Sequence, residues 1–323
     1  MSLPVCEADE AITVAIQGDE FRKLYREVVS RVRELPNRLA SYNSPEAILE
    51  TFTADYKTSD DFVFVANIES REEEVFHVHG IISETRLPPV IKGHRVNMGA
   101  LLQTVKLIGV DDNQDFHAAV IAVSAIYEFL QQSVGSSVQA PYGIQHGTSR
   151  DITFVNRLLT PTHSAFPEDI ITFPSALDPS ESLKPAIDEG RFAFTKDNQV
   201  RFHKLVSNDA GDQLHFVNHI QPGVFRPGQI VNVGVSFWLI KAKTSAPMRF
   251  ISHLDSISLL SWGARKVLDE RRFQQIRPKH GLPAKRCPTT VIKNQAKNST
   301  NHPKRQNQGQ PSSSQLPMET DKD

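Results

Sequence analysis

The residues in this 323-residue chain with the clearest chemical potential are histidines. The stretch HVHGIISE sets His77 and His79 two apart, on one face of a strand, with Glu84 expected a short turn later. A second stretch, GSSVQAPYGIQH, ends in His146. Three imidazoles and one carboxylate suit an octahedral Fe or Mn centre that leaves two positions open for substrate or oxygen. The plainer expectation is that His77 and His79 face solvent on an ordinary strand and that the chain carries no cofactor.

Together these stretches resemble the two cupin motifs, HxHx4E and Gx5PxGxxH, the second through Gly135, Pro141, Gly143 and His146. The resemblance implies a metal-holding barrel. It is partial, because Arg71 and Ile91 stand where glycines are usual and Arg150 where an Asn is usual. A predicted helix also separates the motifs. HLD at 253–255 resembles the HxD of iron/2-oxoglutarate oxygenases, whose distal ligand would have to be His280 or His302; otherwise His253 and Asp255 lie on an exposed strand face. His215 and His219 share a strand face without a partnering Glu. P-loop, GxGxxG, GxSxG and HExxH patterns are absent, which removes support for common nucleotide, Rossmann redox and hydrolase chemistry. A Ser/His/Asp set assembled in space would leave no such trace.

Charge gives the second signal. Residues 264–323 hold 13 Lys/Arg against 5 Asp/Glu, whereas 1–263 hold 23 against 32, so an acidic body carries a basic tail. Arg271, Arg272, Lys285, Arg286, Lys304 and Arg305 form basic clusters of the kind that nuclear import or nucleic-acid phosphate would read. Lys241, Lys243 and Arg249 would add a positive loop. Phe273 alone offers base stacking in the tail. The expected partner is therefore acidic, nucleic acid or protein; a tail folded back on the acidic body is the alternative. Two cysteines, Cys6 and Cys287, form neither a disulfide framework nor a zinc pattern. With neither a signal peptide nor a membrane span in view, an intracellular location, cytoplasmic or nuclear, is expected.

The elements that must position these groups follow from periodicity. Residues 19–35 predict an amphipathic helix with Asp19 as cap and Pro36 as stop; SPEAILETF predicts a short helix capped by Ser44, with Ile48, Leu49 and Phe52 inward. DFVFVANI and EVFHVHGIIS read as a strand pair, 99–110 as helix or strand, and 111–133 as a helix. From 134 to 190 only DITFVNRLL and DIITF look strand-like. Further on, 191–206 reads as strand, polar turn, strand, and QLHFVNHI as another strand. In 230–240, Val231, Val233, Val235, Phe237 and Leu239 alternate without a break and mark a core face; Asn232, Gly234 and Ser236 make the middle of the other face small and polar. In the next strand the apolar register runs through Met248, Phe250 and Leu254 and then shifts to Ile257 and Leu259, which predicts a bulge or coil between.

GQIVNVGVSFWLIKAK and MRFISHLDSISLL resemble a segment that recurs in uncharacterised proteins of mushroom-forming fungi, over about 40–60 residues near 212–260; Gln229 stands where an Asp is usual. The resemblance implies a fungal intracellular protein and no activity. The expected architecture is α+β: a mixed domain at 1–165, a linker-like stretch at 166–190, a small β-barrel or sandwich at 191–262, a helix at 263–279 and a disordered basic tail at 280–323. The expected function is a non-enzymatic binding module with a basic surface. The alternatives are a cupin-like Fe/Mn enzyme and an interaction scaffold without a basic-surface role.

Overall fold

The computed structural model describes residues 16–32, 35–57, 62–89, 101–110, 113–135, 137–139, 151–207, 214–218, 220–241 and 246–263. All but Gly263 of the expected helix at 263–279, the tail at 280–323, Lys243, His146, His280 and His302 lie outside them. The fold is built around β11 (Ile230–Lys241) and β12 (Met248–Ser261), which pair antiparallel over their full length. The alternating core face of β11 is realised: Val231, Val233, Val235, Phe237 and Leu239 are all fully buried.

The other strands assemble on this hairpin from both sides of the sequence. β1 (Phe52–Tyr56) pairs with β2 (Phe62–Asn67), β2 with β11, and β11 with β3 (Phe76–Arg86). β3 pairs with β4 (Leu102–Ile108) and β4 with β6 (Asp151–Arg157). β12 takes β5 (Val138–Gln139), β6 and β9 (Arg201–Ser207) along its second edge, and β9 pairs with β10 (Leu214–Asn218). The pairings β11–β3, β3–β4, β4–β6, β6–β12 and β12–β11 therefore form a closed cycle. β7 (Thr160–Pro161) and β8 (Phe192–Ala193) make a separate two-stranded ribbon.

The chain is α+β, with a large mixed sheet. Two sequence expectations change. β2 and β3 are consecutive, yet β11 lies between them, so the expected hairpin reduces to one isolated bridge, Ala66 to Glu73. The linker-like stretch expected at 166–190 does not separate two sheets, because strands from before and after it alternate in one. All described residues fall within one compact unit running to Arg277. Long-range pairing of this kind is invisible to local pattern, since turns report only neighbours in sequence. The segment 99–110 resolves as strand β4, and DIITF contributes only a bridge at Ile170.

Four α-helices among the described residues complete the unit. α1 (Asp19–Ser30) covers one outer patch with Phe21, Tyr25, Val28 and Val29 against Ile81, Val110 and Ile230. It starts after Gly18 without a side-chain cap and ends six residues before Pro36. α2 (Pro45–Thr51) has the expected cap: Ser44 Oγ accepts from the Ala47 amide at 3.3 Å. Ile48 is buried, but Leu49 is 62% exposed and Phe52 enters the core from β1. α3 (Gln114–Val134) begins at the Asn113 cap and stops at Gly135, whose φ of 60° is a left-handed helix stop that glycine adopts without strain. Its Phe116, Val123, Ile126 and Leu130 join the main core. α4 (Lys184–Asp188) belongs to a small satellite cluster with Leu158, Leu183 and Phe194.

Candidate functional site

The second face of β11 is the chemically unusual part of the sheet. Directly opposed residues in an antiparallel pair point to the same side. Register sets Asn232 opposite His79 and Gly234 opposite His77 on β3, and Asn232 opposite Ser258, Gly234 opposite Ser256 and Ser236 opposite His253 on β12. Eight strand positions of polar or absent side chain thus lie together where a sheet would usually carry hydrophobes. They are not solvated: Asn232 is 2% exposed, Ser236 0% and His253 5%.

The bulge expected in β12 makes this face possible. Val235 pairs with Leu254 and Gly234 with Ser256, so Asp255 is the extra residue. Without it, alternation would send Ser256 and Ser258 into the core and expel Ile257 and Leu259. With it, Ile257 is fully buried and Leu259 is 1% exposed on the apolar side, while the serines join His253 on the polar side. Gly234 is required by the same crowding. A Cβ built there would sit 2.3 Å from Ser256 Oγ and 3.3 Å from Val75 Cγ1.

His253 is the centre of the cluster. Its ring stacks on Trp238 with centroids 3.5 Å apart and planes 20° apart. Nε2 lies 3.1 Å from the Asp197 carbonyl, which can only accept, so Nε2 carries the proton and donates. Ser236 Oγ, at 3.5 Å, and Asp255 Oδ1, at 3.4 Å, both address Nδ1. A nucleophilic relay needs Ser at one ring nitrogen and the carboxylate at the other. Here both share Nδ1 and a backbone carbonyl holds Nε2, so the set lacks the carboxylate–imidazole–hydroxyl order of that relay and orients the imidazole. Asn156, 2% exposed, fixes the same corner by donating to the carbonyls of Asp197 and Leu254, each at 3.0 Å.

Glu73 closes the cluster from the turn before β3. The residue is exposed as a whole, but its carboxylate turns inward to accept from Trp238 Nε1 and to bond with Ser236. Burial of that head group raises its pKa, with Asp255 adding to the rise and the two hydrogen bonds and His253 opposing it. Glu74 beside it is raised by burial too, opposed by hydrogen bonds from Asn67 and the Val75 backbone, and Asn37 Nδ2 also donates to its carboxylate.

The sequence-predicted metal residues are only partly brought together. His77 and His79 do share a face, as expected, but His79 is buried instead of solvent-facing. Asn232 Nδ2 donates to His77 Nδ1 at 3.0 Å. β3 runs unbroken from Phe76 to Arg86, so the expected turn before Glu84 is absent. Five residues of strand put Glu84 about 17 Å from His79 along the chain direction. Glu84 instead pairs with Arg86 at 3.0 Å. Among the described residues no group of three His, Cys, Asp or Glu side chains converges as a metal site. His253 and Asp255 are likewise on a buried face and not the exposed one expected.

Of the expected basic surface, Lys241 and Arg249 are described. Lys241 opposes Met248 and Arg249 opposes Ile240, so the two cations flank the hairpin tip on opposite faces. Arg249 is exposed and Lys241 half-buried. Arg249 shares its side with Ile240 and Phe62, which are themselves cross-strand partners. Lys57 completes that row: its amide donates to the Phe62 carbonyl, and its Nζ lies 5.6 Å from the Phe62 ring centroid and 3.0 Å from Asp197. Arg271, Arg272, Lys285, Arg286, Lys304 and Arg305 lie outside the described residues.

No family model matches the chain, and neither a curated protein nor a solved structure is similar to it. The polar middle of β11 and the β12 bulge were legible in the sequence. Glu73, Asn156 and Asp197 were not, because each reaches the cluster from a separate turn or strand.

Proposed function

We propose that this protein is a non-enzymatic binding module whose basic residues take an acidic partner, nucleic acid first. The observation that carries the reading is Arg249, exposed at the tip of the long hairpin and, among the described residues, in no ion pair. It stands in a row with Ile240, Phe62 and Lys57, where a phosphate-directed cation adjoins half-buried apolar side chains. The 13 Lys/Arg of residues 264–323 supply further sequence-blind attraction. The closed strand cycle supports a half-closed barrel as the frame that holds the hairpin tip outward.

The test is binding of a labelled single-stranded oligonucleotide to the full chain across a salt series. Replacing Arg271, Arg272, Lys285 and Arg286 by Ala should lower the slope of log affinity against log salt by about 3. Arg249→Ala should lower it by about 0.7 on the same basis. Unchanged affinity and slope in both variants would overturn the reading and leave a scaffold without a basic-surface role. Binding to an acidic peptide in place of the oligonucleotide would redirect it to a protein partner.

A further inference from the structure

A small pocket opens between β3, α1, the 39–42 turn and the start of α3. Arg38, Ala40, His77, His79, Asn113 and Asp115 line most of it, and its cavity volume is about 10 Å3, room for one water-sized group. His79 forms part of the wall. The residue is 8% exposed, and its Nε2 is buried with no hydrogen-bond partner. A buried ring nitrogen left unmet costs about 1–3 kcal/mol. Tyr25 Oη donates to the His79 carbonyl at 3.4 Å and accepts from Asn113 Nδ2 at 2.8 Å.

The lining also selects the charge of an occupant. Arg38 Nη2 and Asp115 Oδ2 pair with each other at 2.8 Å across the rim, with 23% and 38% of their side chains exposed. That pair satisfies both charges and leaves neither sign in excess. Burial keeps His79 neutral, its pKa lowered to about 4, with Arg38 and His77 adding to the effect and Asp115 opposing it. An anion would therefore have to protonate a buried imidazole or displace Asp115 from Arg38, and a cation would have to displace Arg38 from Asp115.

We propose that this pocket is a binding site for the uncharged hydrogen-bonding head of a small ligand, an alcohol or primary amide, with His79 Nε2 as its buried contact. The head fills the space of one water at Nε2, and the rest of the ligand lies at the rim formed by Arg38 and Asp115. The site stands apart from the basic hairpin tip and owes nothing to an acidic partner.

Formamide is the probe, with formate as its charged counterpart of the same size. The readouts are the ring nitrogen resonances of His79 in full-length, 15N-labelled protein and the thermal midpoint. The expected result is a saturable formamide shift at His79 Nε2 with a rise in midpoint, and no matching response to formate. Ala40→Leu should abolish that response by filling the pocket while leaving His79 in place. His79→Phe, which keeps a ring at the site but removes its nitrogens, should weaken binding about tenfold, read by the thermal midpoint, the loss of one hydrogen bond. No saturable response in the folded wild type means that water alone occupies the pocket and overturns the proposal. A response to formate in place of formamide overturns it as well, in favour of an anion site.

Discussion

Asn156 ties β6 to β12 where the two strands share only one ladder position, His253 opposite Val155. Its Nδ2 donates both to Leu254 O in β12 and to Asp197 O in the turn that also receives His253 Nε2. One carboxamide thus holds together a seam that backbone pairing barely forms. Asn156→Ala should leave two carbonyls without this donor and cost about 2–4 kcal/mol, measured by denaturant unfolding. A loss below about 0.5 kcal/mol would show that the seam does not depend on it.

Gly234 and Ser256 oppose each other across the β11–β12 ladder in a space with no room for both a Cβ and a hydroxyl. Gly234→Ala alone should destabilise by about 1–3 kcal/mol. Ser256→Ala should recover part of that loss when the two are combined, leaving the Val75 contact to account for the remainder. A strictly additive double variant would place the strain elsewhere.

Trp238 and His253 form the stacked centre of the polar face. His253→Ala removes a ring that is 5% exposed and takes the donor from the Asp197 carbonyl and the acceptor from Ser236. The expected cost is about 2–4 kcal/mol, the range of large-to-small core changes with a lost hydrogen bond. His253→Phe should recover the stacking share alone and remain less stable than wild type. Equal stability of His253→Phe and wild type would mean that the ring's nitrogens contribute nothing.

His79 and the Glu73–Glu74 turn impose opposite pH dependences. For His79 the folded pKa is lowered to about 4 from an ordinary 6.5. Below 6.5 the unfolded chain takes a proton that the folded ring refuses, so stability falls as pH drops from about 6.5 to 4. The full shift corresponds to about 3 kcal/mol. His79→Gln should flatten that limb of the stability profile; an unchanged acid limb would remove His79 as its cause.

Both glutamates have raised folded pKa values, so their ionised forms are penalised in the folded state. Their contribution is most favourable below the unfolded carboxylate pKa and declines as pH rises through the folded one. Glu73→Gln keeps an oxygen for Trp238 Nε1 and should gain stability relative to wild type as pH rises through that window. A constant difference at every pH would show that ionisation is not the source.

Local features were legible in the sequence because they depend on neighbours along the chain. The core alternation of β11, the amphipathic face of α1, the Ser44 cap and the β12 bulge each rest on a few adjacent side chains that must face one way or the other. The bulge is instructive: the apolar register shift from Leu254 to Ile257 required one extra residue, and Asp255 is that residue. Tertiary structure decided what lay between those elements. The insertion of β11 between β2 and β3, the cycle closed through β6 and the reach of Glu73 and Asn156 into the His253 cluster all join residues tens to hundreds of positions apart. No periodicity encodes such pairings, because they are chosen by which complete set of strands buries the most apolar surface while leaving the fewest polar groups unmet. The same competition made His79 and His253 buried where their polar type alone suggested solvent.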